Sequence, residues 1–389
     1  MIIGSKMRLS TGSLQMLVLG LFGISFFFAR VGLAESLGDC SSEPQLSART
    51  DVVFCEPWED ALWWRDHGFA ATDRDPLDCN TVINSIDRQE CFDTNTHPVV
   101  SGSRIVSEVS NGVPCVFGSC VQINIPQGEF GKFSTKWLFL ENTGQEPEQM
   151  YYRYYLRFSD NWNPAMCSSG DQGGKLPGLS HTKTTKDPEG QCGNGGNTPD
   201  ADTHCWSMRT THTSCISGGK NVCDQNPLAT FQYGSYLYFP GQQTSTGSAG
   251  MWHDGLDHWS STSGSGGSCD TNPNNVSCGI AGGGMLEPGR WYEVEMMVKM
   301  NTPGQSNGII RGWVNGVLSF EKPNMIFRAA GHAEIHVREA WLNIFMGGTQ
   351  GSCADIQIYV DQMVLATDSR IGPVGGGVAP RPPTDVSVD

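Results

Sequence analysis

All 14 cysteines of this 389-residue chain lie between Cys40 and Cys353, downstream of an apolar N-terminal run, and that placement constrains the fold more than any other feature. The run has three parts: Lys6 and Arg8, an apolar stretch from Met16 to Phe28, and small residues around Gly32 to Ala34. This is the layout of a secretory signal, so residues 1–34 are expected to be removed and the remainder to be secreted. The stretch is short for a membrane span and diluted by Gly20, Gly23 and Ser25. No later segment approaches the roughly 18 apolar residues a span needs, so no membrane attachment is expected. An even number of cysteines in an oxidising compartment pairs into disulfides. Zinc would need tight Cys-x-x-Cys pairs, whereas the nearest approach, Cys115 to Cys120, suits a small covalent loop. No metal or other cofactor is expected.

Charge narrows the partners. The chain has 25 Lys and Arg against 40 Asp and Glu, a formal charge of −15, and losing Lys6, Arg8 and Arg30 with the signal makes it more acidic still. No nucleic-acid partner is expected, because its binding needs broad coverage of phosphates by Lys and Arg. An anionic polymer could bind only where the few cations are gathered. The chain is expected to act as a monomer.

Apolar runs of strand length, Val121 to Ile125, Tyr151 to Phe158, Tyr236 to Phe239, Trp291 to Val298 and Ile309 to Val314, are separated by Gly, Pro, Asn and Ser clusters. The expected class is all-β: a jelly-roll or concanavalin A-like sandwich with long disulfide-stapled loops, forming one domain over residues 35–371. Helical periodicity is scarce, and Glu59 to His67 is the best candidate. Cysteines between Cys167 and Cys278 are expected to fasten two long Gly-, Ser- and Thr-rich inserts. Residues 372–389, rich in Gly and Pro, read as a disordered tail.

The run Tyr151-Tyr152-Arg153-Tyr154-Tyr155-Leu156-Arg157-Phe158, read as a strand, puts Tyr151, Arg153, Tyr155 and Arg157 on one side. Rings can stack on sugars and arginine can pair with carboxylates, although cross-strand packing would explain the same pattern. Downstream, Gly173-Gly174-Lys175-Leu176-Pro177-Gly178-Leu179 sets a single lysine in a glycine-rich turn stiffened by proline, without the spacing of a phosphate loop. Period two places Ser207 and Arg209 on one strand face and Trp206 and Met208 on the other; it separates Tyr236 and Tyr238 from Leu237 and Phe239 in the same way.

The Tyr/Arg strand followed by the lysine heptapeptide resembles polysaccharide lyase family 14 and its jelly-roll relatives. Trp206-Ser207-Met208-Arg209 is similar to that family's Ser-x-Arg strand and Tyr236-Leu237-Tyr238 to its Tyr-x-Tyr strand. Asn301-Thr302-Pro303-Gly304, Trp313-Val314-Asn315-Gly316 and Phe345-Met346-Gly347-Gly348 follow in the same order. The resemblance runs from about Trp137 to Thr367. It implies β-elimination on an anionic, uronate-containing polysaccharide of alginate or glucuronan type. Lys175, Ser207, Arg209, Tyr236 and Tyr238 would be catalytic, and Arg153, Tyr155 and Arg157 would bind substrate. The competing reading is a non-catalytic, lectin-like carbohydrate-binding module.

Other chemistries are weaker. His332 and His336, on an extended strand, would stand about 13 Å apart, too far to share a metal. Gly304-Gln305-Ser306-Asn307-Gly308 matches a nucleophile elbow by letters only, since a strand-like run follows it where a helix is required. Glu293 and Glu295 share a strand face at a spacing that an acid/base pair could use.

Overall fold

The computed structural model describes residues 37–38, 40–58, 69–71, 103–107, 115–129, 132–162, 173–181, 205–214, 216–217, 220–221, 231–240, 256–258, 285–347, 351–352 and 354–374. The segment Glu59 to His67, the region 1–34, residues 375–389 and most of the two inserts lie outside the described residues.

In chain order the strands begin with β1 (Leu37–Gly38), β2 (Val52–Glu56), β3 (Phe69–Ala71), β4 (Ser103–Ser107), β5 (Ser119–Ile125) and β6 (Lys132–Leu138). They continue with β7 (Gln149–Phe158), β8 (Gly173–His181), β9 (Trp206–Ser214), β10 (Ile216–Ser217), β11 (Lys220–Asn221), β12 (Phe231–Tyr238) and β13 (Leu256–His258). The last are β14 (Met285–Leu286), β15 (Trp291–Lys299), β16 (Gly308–Val314), β17 (Val317–Met325), β18 (Glu339–Gly347) and β19 (Ile356–Ala366). Two single-turn helices, α1 (Pro44–Ser47) and α2 (Phe139–Thr143), complete the described elements.

The strands form two large sheets. The back sheet runs β1-β2-β19-β7-β15-β16-β17, with β5 also paired to β19 and β4 to β5. The front sheet runs β13-β12-β9-β8-β18-β6-β3, with β14 beside β12. Every pairing within them is antiparallel except β1 with β2. This is the all-β jelly-roll sandwich expected of the alternating strands. The hairpin from β16 to β17 turns on Asn315 and Gly316, both at positive φ (49° and 80°), the conformation a two-residue turn requires. The Gly304 to Gly308 stretch is a turn between β15 and β16, not an elbow.

Alternation decides which face each strand buries. From the back sheet Tyr152, Tyr154, Leu156 and Phe158 point inward; from the front sheet come Leu176, Leu179, Trp206, Met208, Leu237, Leu342 and Ile344, all within one apolar core. The core also holds a polar knot, in which the Tyr154 hydroxyl lies 2.7 Å from Thr210 Oγ1 and 2.9 Å from the Tyr233 hydroxyl. Buried hydroxyls so paired tie the two sheets in one register.

The outer face of the back sheet is sealed by the chain's own segments. Arg153, fully buried, donates from Nη1 to Glu43 Oε2 (2.9 Å) and to the Gly372 carbonyl (2.8 Å), and its Nη2 pairs with Glu43 Oε1. Glu295 accepts the Ile371 and Gly372 N–H groups (2.7 and 3.1 Å) and Arg370 Nε. Tyr155 accepts from the Val374 N–H and packs in a cluster with Cys115 and Cys120. The residues 372–374, at the start of the expected tail, are therefore docked. Cys40–Cys55 and Cys115–Cys120 are disulfides, Cys205 is also disulfide-bonded, and no cysteine among the described residues is free. No helix among the described residues is long and apolar enough to cross a membrane.

Candidate active site

The site is built on the outer face of the front sheet, where β12, β9, β8 and β18 run side by side. Tyr236 stands directly across from Arg209, and Tyr238 across from Ser207. Gly178 lies opposite Arg209 on the next strand, and Trp341 opposite Gly178 on the one after that.

The lysine heptapeptide, expected as a turn, is a strand with a bulge. Lys175 pairs with Thr211 and Gly178 with Arg209, with a register shift between them. Leu176 and Leu179 both reach the core although they are three apart, which a strict period of two forbids. The extra residue falls at Pro177, which has no N–H to give to a ladder, so the bulge costs no backbone hydrogen bond. The glycines permit close approach: a Cβ on Gly178 would lie 2.1 Å from the Met208 carbonyl oxygen, and one on Gly174 would lie 2.5 Å from that of Phe345.

Lys175, Arg209 and the two tyrosines converge. Lys175 Nζ sits 5.1 Å from the centre of the Tyr236 ring and 5.1 Å from that of Phe345. Arg209 Cζ lies 5.6 Å from the Tyr236 ring, 5.9 Å from Tyr238 and 4.5 Å from Trp341. The Tyr236 and Tyr238 hydroxyls are 2.9 Å apart. Ser207 is buried beside them, and its Oγ has no hydrogen-bond partner among the described residues.

Burial sets the protonation of this group. Desolvation, then the neighbouring Arg209 charge, lowers Lys175 from its ordinary 10.5 to about 8. Desolvation, with Tyr238 adding to it, pushes Tyr236 well above the ordinary tyrosine value, so this phenol stays protonated. Desolvation also lowers Arg209, and a guanidinium starved of water gains most from a carboxylate.

Arg153, Tyr155 and Arg157 do not join them. They lie on β7 in the other sheet, on its sealed outer face, and Arg157 is committed to Asp160 (2.8 Å) and the Tyr359 ring. Alternation in Tyr151 to Phe158 does make two faces, but the polar face is covered by segments far away in sequence. The same face holds Glu293 and Glu295. Glu293, raised to about 7 by desolvation and the neighbouring Glu295, accepts the Gly316 N–H, so both carboxylates serve the back of the sandwich. His332 and His336 lie in a turn before β18, not on a strand, and each faces a glutamate: Glu334 at 3.2 Å and Glu148 at 2.9 Å.

The motif reading missed most of what β18 supplies. Glu339, Trp341, Asn343 and Phe345 share the outer face, while Ala340, Leu342, Ile344 and Met346 enter the core. Asn343 Oδ1 accepts from Arg209 Nη1 at 3.3 Å. Glu339 pairs with Lys136 Nζ at 2.7 Å and accepts from Ser180 Oγ. The one signal in the sequence was a polar Asn343 flanked by Leu342 and Ile344.

Residues 267–360 match the family model for polysaccharide lyase 14. That stretch of the chain is similar to the family in sequence. The match takes in β18, with Trp341, Asn343 and Phe345, and ends within β19; Lys175, Ser207, Arg209, Tyr236 and Tyr238 precede it. Curated protein sequences give no match. Among solved structures the chain is similar to alginate lyase Aly36B, at 17% identity over 78% of this chain and 94% of that one, with a TM-score of 0.44. It is similar to the marine PL-14 alginate lyase from Aplysia kurodai, at 16% identity over 69% and 88% of the two chains and a TM-score of 0.44. A third likeness is to the endo-beta-1,4-glucuronan lyase of the fungus Trichoderma reesei, at 14% identity over 68% and 87% and a TM-score of 0.35.

Proposed function

We propose that this protein is a secreted polysaccharide lyase that cleaves a uronate-containing polymer by β-elimination on the outer face of the front sheet. The observation that carries the reading is the convergence of Lys175, Arg209 and the Tyr236–Tyr238 hydroxyl pair around one spot. Elimination breaks the C–H bond beside the sugar carboxylate, turns its electron pair into a C=C bond and expels the neighbouring glycosidic oxygen. It needs a cation to hold the carboxylate, a base for the proton and an acid for the leaving oxygen. Arg209 is the cation. Lys175, lowered to about 8, is the base, and its amine becomes an ammonium as the C–H proton arrives. The tyrosine pair, with Tyr236 held protonated, gives a proton to the leaving oxygen. Two groups pushed in opposite directions divide the work of base and acid. Ser207, buried next to them, positions the sugar.

The family match supports a polysaccharide substrate and the motifs support a uronate polymer, so alginate and glucuronan are the first substrates to test. Incubation with a panel of uronate polymers should release unsaturated uronate ends, seen by their ultraviolet absorbance, with kcat/KM rising as the pH passes through about 8. A fall through that range would assign Lys175 the role of a cation and the base to a tyrosine. Binding of one polymer with no unsaturated product from any would overturn the lyase reading in favour of a lectin-like module.

A further inference from the structure

We propose that Phe345 on β18 is a positioning residue for the Lys175 amine: its ring covers that amine from the β18 side, shuts out water there and offers no group that would hold a proton. The inference rests on the lyase reading above, in which Lys175 is the base. Tyr236 and Phe345 stand on opposite sides of β8, on β12 and β18, and each ring centre lies 5.1 Å from Lys175 Nζ. Phe345 is directly across from Lys175 in the ladder. The register shift between β8 and β18 makes that pairing. Counted from Trp341 opposite Gly178 without the shift, Lys175 would face Ile344, which enters the core; with it, Lys175 faces an outward ring.

β18 brings no ionisable side chain between Glu339 and Gly347. The charged and titratable groups of the site come from the other side of Lys175: Arg209 on β9, and Tyr236 and Tyr238 on β12. His212, beside Gly174 on β9, points into the core against Phe158 and Trp162. Among the described residues Lys175 makes no hydrogen bond or ion pair. Lys136 shows the alternative on the same strand. It stands across from Trp341, and its diagonal neighbour Glu339 meets its Nζ at 2.7 Å, where a carboxylate holds the proton on. The diagonal neighbours of Lys175 on β18 are Asn343 and Gly347, neither of which ionises. A ring face attracts an ammonium, but by less than the hydration it displaces. Burial is accordingly the larger cause that brings Lys175 to about 8, ahead of the Arg209 charge.

Trace acetylation with acetic anhydride across a pH series, read at the peptide that carries Lys175, gives the titration midpoint of this amine without turnover. In Phe345→Ala the midpoint should rise by about one unit, as water returns to the cation. Below the midpoint the free amine then falls about tenfold, so kcat at neutral pH should fall about tenfold with KM within about twofold, and the rise of kcat/KM should move up by the same unit. Phe345→Leu keeps an apolar cover and should leave the midpoint within about 0.3 unit of the parent. Thermal melting checks folding. Phe345→Thr, a strand former, carries the same expectation and replaces the alanine variant if that one does not melt cooperatively. A midpoint within about 0.3 unit of the parent in the folded Ala or Thr variant would overturn the proposal. So would an equal movement in the Leu and Ala variants, since only one of them opens the cover. The expected shift with no unsaturated product from the parent would sink the lyase reading alone, whereas no shift in a protein that cleaves uronate polymers would sink the role of Phe345 alone.

Discussion

Lys175 concentrates the conflict between stability and function into one residue. Its ammonium is partly buried against two rings and pushed down by Arg209, so its proton is held less tightly in the folded protein than in the unfolded chain. Between about 8 and 10.5 the unfolded chain keeps a proton that the folded protein has released, so stability rises with pH across that window. Below about 8 both states are protonated and the cost of burying the charge is present in full. Lys175→Met keeps an unbranched stem against Tyr236 and Phe345 and removes the charge. Its stability at about neutral pH should equal or exceed the parent's, with the advantage shrinking as the pH approaches 10.5. Urea denaturation at neutral and alkaline pH measures this, and a variant clearly less stable than the parent at neutral pH would contradict it. Turnover should meanwhile fall about a hundredfold or more, as expected if Lys175 is the base proposed above.

At the scale of elements, the bulge in β8 and the seal over β7 each make a prediction. Gly178→Ala drives a methyl into the Met208 carbonyl and the Arg209 Cα, both backbone, so β8 and β9 must part at the residue proposed to hold the carboxylate. The cost should be about 1–3 kcal/mol of stability, as for overpacking, with kcat/KM lowered about tenfold or more. Unchanged kinetics would mean that the strands tolerate the shift. Arg153→Met removes one partner of a fully buried ion pair and leaves Glu43 unpaired there, which should cost about 3–5 kcal/mol. KM should stay within about twofold of the parent, because the pair lies on the other sheet; a large rise in KM would return Arg153 to substrate binding. These two positions also mark what the sequence could tell. Period two separated Arg209 from Met208 and Tyr236 from Leu237 correctly, because each strand buries one face against a shared core. It could not tell that the polar face of Tyr151 to Phe158 would be covered, since the covering groups, Glu43 and Gly372, lie 110 and 219 residues from Arg153. Nor did it reveal the bulge: Pro177 reads as a turn residue whether it ends a strand or sits unpaired within one. The contact of Asn343 with Arg209 was not legible because it depends on which strand lies beside β8, and pairing between strands far apart in sequence is not written in the periodicity of either.

For the whole molecule, charge works at two ranges. The chain carries −15 overall, and its proposed substrate is a polyanion, so approach is opposed at long range while the buried Arg209 favours contact at short range. Salt acts on these differently. Between about 0.01 and 0.15 M the Debye length shrinks from about 30 Å to about 8 Å, which removes repulsion between the protein surface and distant polymer charges. A carboxylate seated against a desolvated guanidinium is screened far less. Raising salt over that range should therefore lower KM for a long uronate polymer and raise kcat/KM, with kcat little changed. The gain should be smaller for a short oligosaccharide, which brings fewer distant charges. Rates on both substrates, measured in parallel across the salt series, decide the matter: a steady loss of kcat/KM with salt would mean that the cations of the front sheet already govern the encounter from a distance, against the sign of the net charge.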